Sequence, residues 1–180
     1  HLQYAELHGA DLRRANLSDT YISRAKLDGA DLRWANLSAA VLVGAGLLGA
    51  DLRWANLNGT HFDDANLRKA NLIQAGLRGT ILRGAQFGST VLGDVDLSKA
   101  IGLEKVHHSA PSTIGIDTIY ASGGKIPEVF LRGCGVPENL IQYLPSLVYQ
   151  PIQFYSCFIR YNHADKPFAR RLHDALQGRG

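Results

Sequence analysis

Gly9-Ala-Asp-Leu-Arg-Arg-Ala-Asn-Leu-Ser18 returns as Gly29-Ala-Asp-Leu-Arg-Trp-Ala-Asn-Leu-Ser38, and again from Gly49 to Asn58. The copies lie 20 residues apart, and within each copy the leucines lie five apart. A repeat of this kind defines the architecture before any local signal does. Extending the five-residue step outward from Leu12 meets a large apolar residue at all 20 positions from Leu2 to Leu97. All are Leu except Ile22, Phe62 and Phe87. The residue two before each, from Ala5 to Val95, is small: Ala almost throughout, with Thr at Thr20, Thr60, Thr80 and Thr90.

A helix face repeats near 3.6 residues and a strand face at 2. A period of 5 suits neither, and a helix would smear these leucines around its circumference. The period suits a chain that turns a corner every five residues. The large residue then points inward from the middle of each side, the small one fills the inside beside it, and the other three face water or form the corner. Gly9, Gly29, Gly49, Gly59 and Gly79 stand at corner positions. The 20-residue echo is four pentads, so residues 20 apart stack in neighbouring coils and the cross-section is square. About five coils at roughly 4.8 Å each make a rod about 24 Å long. The expected fold is mainly β: a four-sided β-helix over residues 1–100.

Ala-Asp-Leu-Arg-Arg and Ala-Asn-Leu-Ser match the A(D/N)LXX consensus, and residues 1–100 resemble the pentapeptide-repeat family. The resemblance implies a right-handed quadrilateral β-helix, often dimeric. Some members imitate duplex DNA and bind DNA gyrase, which needs a strongly negative rod. Residues 1–100 hold 11 Lys and Arg against 10 Asp and Glu, a net of +1.

Stacking by 20 turns the surface into columns. One column reads Arg13, Arg33, Arg53, Ile73, Gly93, and the next reads Arg14, Trp34, Trp54, Gln74, Asp94. Three stacked arginines beside two stacked tryptophans make a candidate contact site for a partner or an anionic surface, since Trp and Arg dominate binding hot spots. The same pattern also reads as a solvated ladder held by stacking and by Asp11, Asp31 and Asp51. A second column, Tyr21, Val41, His61 and Ile81 with Val43 beside it, is a candidate self-association face.

The pentad rule fails at Gly102. Residues 101–153 carry Pro111, Pro127, Pro137, Pro145 and Pro151. Ile116 to Tyr120 reads as a short helix or strand. Lys125 to Arg132 and Pro137 to Leu144 read as short Pro-initiated helices. Val129, Phe130, Leu140, Ile141 and Leu144 are expected to cover the open coil end, because an unpaired strand edge invites aggregation. His107 and His108 are assigned to a loop.

Phe154 to Tyr161 reads as a buried strand and Lys166 to Leu176 as an amphipathic helix, with Asp165 as its N-cap. Phe-Ile-Arg-Tyr-Asn-His-Ala-Asp-Lys is similar to the F-I-S-Y-S-x-x-D-K opening of bacterial TIR (Toll/interleukin-1 receptor) domains. Residues 154–180 would be the first strand and first helix of such a domain, poorly ordered or rearranged when alone. Arg160 and Asn162 depart from that pattern, standing where the family has Ser. The resemblance implies that the rest of the domain, beyond Gly180, cleaves NAD, and that residues 101–153 join the two parts.

The remaining features narrow the function. No cofactor site, general acid/base pair, nucleophile triad or phosphate loop is legible, and no catalytic residue is assigned. Cys134 and Cys157 lack metal-ligand spacing and read as buried thiols in a reducing, cytoplasmic setting. No run of 18 apolar residues occurs, so no membrane span is expected. A formal charge of +3 gives no argument for nucleic acid. The chain opens on His1 and has no Met, which reads as a trimmed start. The expectation is a non-catalytic scaffold that associates with itself or with another protein. The alternatives are a gyrase-directed rod or a plain spacer.

Overall fold

The structure, a computed structural model, describes residues 1–149. Its repeats form one ladder of parallel bridges 20 residues apart, from Glu6 with Lys26 and Asp11 with Asp31 through Ile81 with Ile101. Four sides per coil follow directly. Each coil hangs on the next by backbone hydrogen bonds. The N–H of Leu12 donates to the Asp31 carbonyl at 2.8 Å, and the N–H of Asp31 donates to the Ala10 carbonyl at 2.9 Å. Backbone polar groups inside a rod this thin have no water to turn to, so the ladder is where they are satisfied.

The corners obey one rule. Every fifth residue from Tyr4 to Asp94 has a positive φ, between 51° and 71°. The residue after each corner closes a turn, as when the N–H of Ala35 donates to the Leu32 carbonyl at 3.0 Å. A positive φ confined to the third residue is the type II pattern, which favours glycine there. Gly49 and Gly79 meet that need without a side chain. Trp34, Trp54, Lys69 and Gln74 meet it with one, at a cost that an L-residue carries in the left-handed region.

The interior is a stack of side chains. Leu27, Leu32, Leu37, Leu42, Leu47, Leu52 and Leu57 are fully buried, as are the alanines between them. Where threonine replaces alanine, its hydroxyl turns back to a carbonyl: Thr60, Thr80 and Thr90 donate to Leu37, Leu57 and Leu67 at 2.7, 2.7 and 2.8 Å. That bond is what lets a polar group sit inside.

Stacking continues past the last pentad. Strand β1 (Gln86–Phe87) pairs in parallel with β3 (His107–His108), and β2 (Val91–Leu92) with β4 (Thr113–Ile114). The offsets there are 21 and 22 residues, because extra residues enter around a 3-10 turn at Leu103–Lys105. His107 and His108 therefore belong to a strand, not to the loop expected from sequence.

Three helices follow: α1 (Ile116–Ala121), α2 (Glu128–Gly133) and α3 (Glu138–Tyr149). Ile116 to Tyr120 resolves as helix. Helix α2 begins at Glu128 rather than at Lys125, with Pro127 as its N-cap. Helix α3 does not stop at Leu144 but runs through Pro145. Phe130, Ile141 and Leu144 are buried as expected. Val129 and Leu140 are not: they are 53% and 37% exposed, on the outer faces of α2 and α3. The strand, helix and TIR resemblance read over residues 154–180, and Cys157, lie outside the described residues.

Candidate functional site

The arginine column and the tryptophan column meet at one corner of the rod. Each arginine is held by the aspartate two residues before it, on the same side of the square. Arg13 donates to Asp11 through Nε at 2.8 Å and Nη2 at 2.6 Å. Arg33 repeats this on Asp31 and Arg53 on Asp51. The next coil adds a longer contact, Arg13 Nε to Asp31 at 3.7 Å and Arg33 Nε to Asp51 at 3.6 Å. The two-residue spacing puts both side chains on the outer face of one short strand, since alternate residues share a face.

The carboxylates show the coupling. Hydrogen bonds from Arg13 hold the Asp11 carboxyl down at about 2. Asp31 and Asp51 are lowered by their own arginines in the same way. The three guanidinium groups are thus neutralised in place and do not form a free cationic patch. A ladder of ion pairs with Asp11, Asp31 and Asp51 is what the geometry builds.

The corner column itself is continuous. The Trp34 and Trp54 rings stack at 4.7 Å and 6°. Arg14 lies 5.7 Å over Trp34, and Arg33 and Arg53 lie 5.8 and 5.3 Å from the neighbouring rings. The Trp54 indole N–H donates to the Gln74 side-chain Oε1, and the Gln74 Nε2 donates to Asp94 at 2.8 Å. Trp34 remains 46% and Trp54 37% exposed. A depression of about 430 Å³ opens at the Arg14 end, lined by Asp11, Arg13, Arg14 and Trp34.

The second column also stacks. Tyr21 bridges Val41, Val41 bridges His61, and His61 bridges Ile81. Ile101 extends it by one coil at 43% exposure, and the His1 ring sits 5.4 Å from Tyr21. Val43 stands on the same side, two residues on. Its own column turns polar, with Asp63 placed 3.8 Å from Arg83 and 3.9 Å from His61. Among the described residues no group of three His, Cys, Asp or Glu side chains is placed to hold a metal, and no helix is long and apolar enough to cross a membrane.

Eight copies of the pentapeptide repeat match the family's model, over residues 1–19, 15–47 and 47–84. A pentapeptide repeat protein from Nostoc Pcc 7120 is 36% identical over 52% of this chain and 71% of its own, at a TM-score of 0.32. This chain belongs to the pentapeptide-repeat family. The right-handed β-helix is the fold that belongs with that family. A family member from the Arabidopsis thaliana thylakoid lumen is 30% identical over 53% of this chain and 81% of its own, with a TM-score of 0.23. The plasmid-mediated fluoroquinolone resistance protein QnrB1 is 20% identical over 54% and 67%, with a TM-score of 0.29. No curated protein matches.

Two features of this pentapeptide-repeat rod stand outside the sequence expectations. One is the asparagine ladder on the next side, where Asn56 donates to Asn36 at 3.1 Å and Asn36 to Asn16 at 3.3 Å. The 20-residue echo contains it, since Asn recurs in all three copies. The other is a pair of hydroxyls on α1 and its C-cap. Thr118 Oγ1 donates to the Leu92 carbonyl at 3.1 Å and accepts from the Val95 N–H at 3.3 Å. Ser122 Oγ accepts from the Leu97 N–H at 3.0 Å. These side chains stand in for a further coil on the last pentads.

Proposed function

We propose that this chain is a non-catalytic scaffold that binds protein, cytoplasmic, and placed ahead of a TIR domain that cleaves NAD in a signalling or immune effector. The observation that carries the scaffold reading is the exposed Trp34–Trp54 stack. Two tryptophans at left-handed corners are costly to the backbone, and glycine would sit there more cheaply. Large aromatic area kept at the surface beside neutralised arginines is the composition of a binding hot spot. Arg13, Arg33, Arg53, Trp34 and Trp54 are the partner-binding residues in this reading. Tyr21, Val41, Val43, His61 and Ile81 offer a second, self-associating face.

The TIR attachment rests on the sequence of residues 154–180 alone. It is tested by activity: residues 1–180 should leave NAD intact, while the chain extended through a whole TIR domain should cleave it. Cleavage by residues 1–180 would overturn the non-catalytic reading, and an inert extended chain would overturn the TIR one. A gyrase-directed rod is the less favoured reading, because a net of +1 over residues 1–100 does not imitate duplex DNA. Inhibition of gyrase supercoiling by this chain would reverse that preference.

A further inference from the structure

The tryptophan corner is complementary to itself. Read along the rod, its column is Arg14, Trp34, Trp54, Gln74, Asp94: a cation, two rings, an amide and an anion, one per coil. Read in the opposite direction it is anion, amide, ring, ring, cation. We propose that this corner pairs with the same corner of a second copy of the chain, antiparallel, with Trp54 against Trp54 at the centre. This rests on the scaffold reading above and gives its tryptophan site a named occupant.

The pairing follows from the register. Neighbouring members of the column are one coil apart, about 4.8 Å, in both copies, so five contacts fall into step together. Arg14 meets the second copy's Asp94 at each end, Trp34 meets Gln74, and the Trp54 rings meet in the middle. A two-fold contact of this kind uses one patch twice and closes at two copies. Charge selects the direction. Among the described residues Arg14 has no carboxylate partner and Asp94 receives only a neutral amide. In a parallel pairing Arg14 would face Arg14 and Asp94 would face Asp94, which charge repulsion disfavours. The flanking Arg53 meets its own copy near the two-fold axis, and Asp51 already neutralises it at 2.6 Å. The Tyr21 column lacks this property: Tyr21, Val41, His61 and Ile81 carry no opposite charges to select a direction.

The test uses the whole chain and measures its mass in solution across a dilution series. The wild type should form a dimer that dissociates on dilution. Arg14→Asp and Asp94→Arg should each be monomeric, because each puts like charges at both ends of the contact. Mixing those two variants should restore a dimer, and so should the double variant Arg14→Asp/Asp94→Arg. Circular dichroism checks that each variant keeps the wild-type fold. A monomeric wild type overturns the inference but leaves partner binding at the corner open to its own test. A dimer that survives both single reversals also overturns it. If Tyr21→Asp then dissolves that dimer, the scaffold reading stands on its other face. Loss of the dimer in the singles without recovery in the mixture overturns the antiparallel register.

Discussion

At the scale of the residue, the corner position sets the terms. Nineteen corners need a positive φ, and twelve are filled by residues other than glycine. Each such residue holds a left-handed conformation that costs an L-amino acid roughly 1–2 kcal/mol. Trp34 and Trp54 offset that by stacking, and Gln74 by its bonds to Trp54 and Asp94. Lys69 has no such offset: its φ is 59°, it is exposed, and it makes no ion pair or side-chain hydrogen bond among the described residues. Lys69→Gly should therefore raise stability. Relief of the strain exceeds the extra chain entropy of glycine, leaving a gain of about 0.5–1 kcal/mol. Chemical denaturation reads it, and an unchanged or lower midpoint would refute the strain account. The corner rule was only half legible beforehand. Gly9 or Gly49 announces a turn, whereas Trp34 at the same position announces a surface. Side-chain identity at an exposed corner is free to vary, and the backbone constraint beneath it is not.

At the scale of the element, α1 closes what the last coil leaves open. Earlier coils meet their neighbours mainly through backbone groups, whereas Val95 and Leu97 donate to the hydroxyls of Thr118 and Ser122. The two lie one helical turn apart, so a single face of α1 reaches both. Ser122 is itself bonded back to the Thr118 carbonyl at 2.7 Å, which fixes its rotamer. Ser122→Ala strands the Leu97 N–H in a buried site and should cost about 1–3 kcal/mol. Glycine at 122 should cost at least as much, while Ser122→Thr should recover part of the loss. Hydrogen exchange at the Leu97 amide would report the same bond directly, and protection that survives Ser122→Ala would rule it out. The cap was expected to be apolar. Phe130, Ile141 and Leu144 supply that part, but a lone hydroxyl carries no periodicity and could not be read ahead of the fold.

At the scale of the whole molecule, two groups of side chains each contribute a limb to the pH dependence of stability. His108 lies against Phe87 and Phe130, with ring centroids 6.0 and 5.1 Å away, and neither ring nitrogen has a hydrogen-bond partner among the described residues. Burial pushes its pKa below the ordinary value near 6.5. The folded state therefore holds fewer protons than the unfolded chain just below that value, so stability is complete above it and falls as the medium acidifies through it. His108→Leu should remove this limb, flattening the unfolding midpoint between about pH 7 and about pH 5. A midpoint that still falls over that window would place its cause elsewhere. The second limb lies lower. Asp11, Asp31 and Asp51 are depressed by their arginines, so their contribution is present above about 3.8 and lost toward strong acid. It should be shallow, because exposed ion pairs contribute little. Cys134 is buried and its thiol is pushed up to about 12, which keeps it protonated and unreactive across both limbs.

The sequence by itself determined the rod. A period of 5 with a 20-residue echo admits one solution, four sides with leucine inside, because burying the leucines and pairing the backbone are both satisfied only when coils stack in that register. It also determined which side chains share a column, since stacking is arithmetic once the period is known. Only the tertiary structure decided how those columns behave. That each arginine closes on its own aspartate, that the indoles lie face to face under Arg14, and that Thr118 and Ser122 complete the final coil depend on distances of a few ångströms between residues far apart in the chain. Periodicity carries information about which face a residue occupies and none about the partner it meets there.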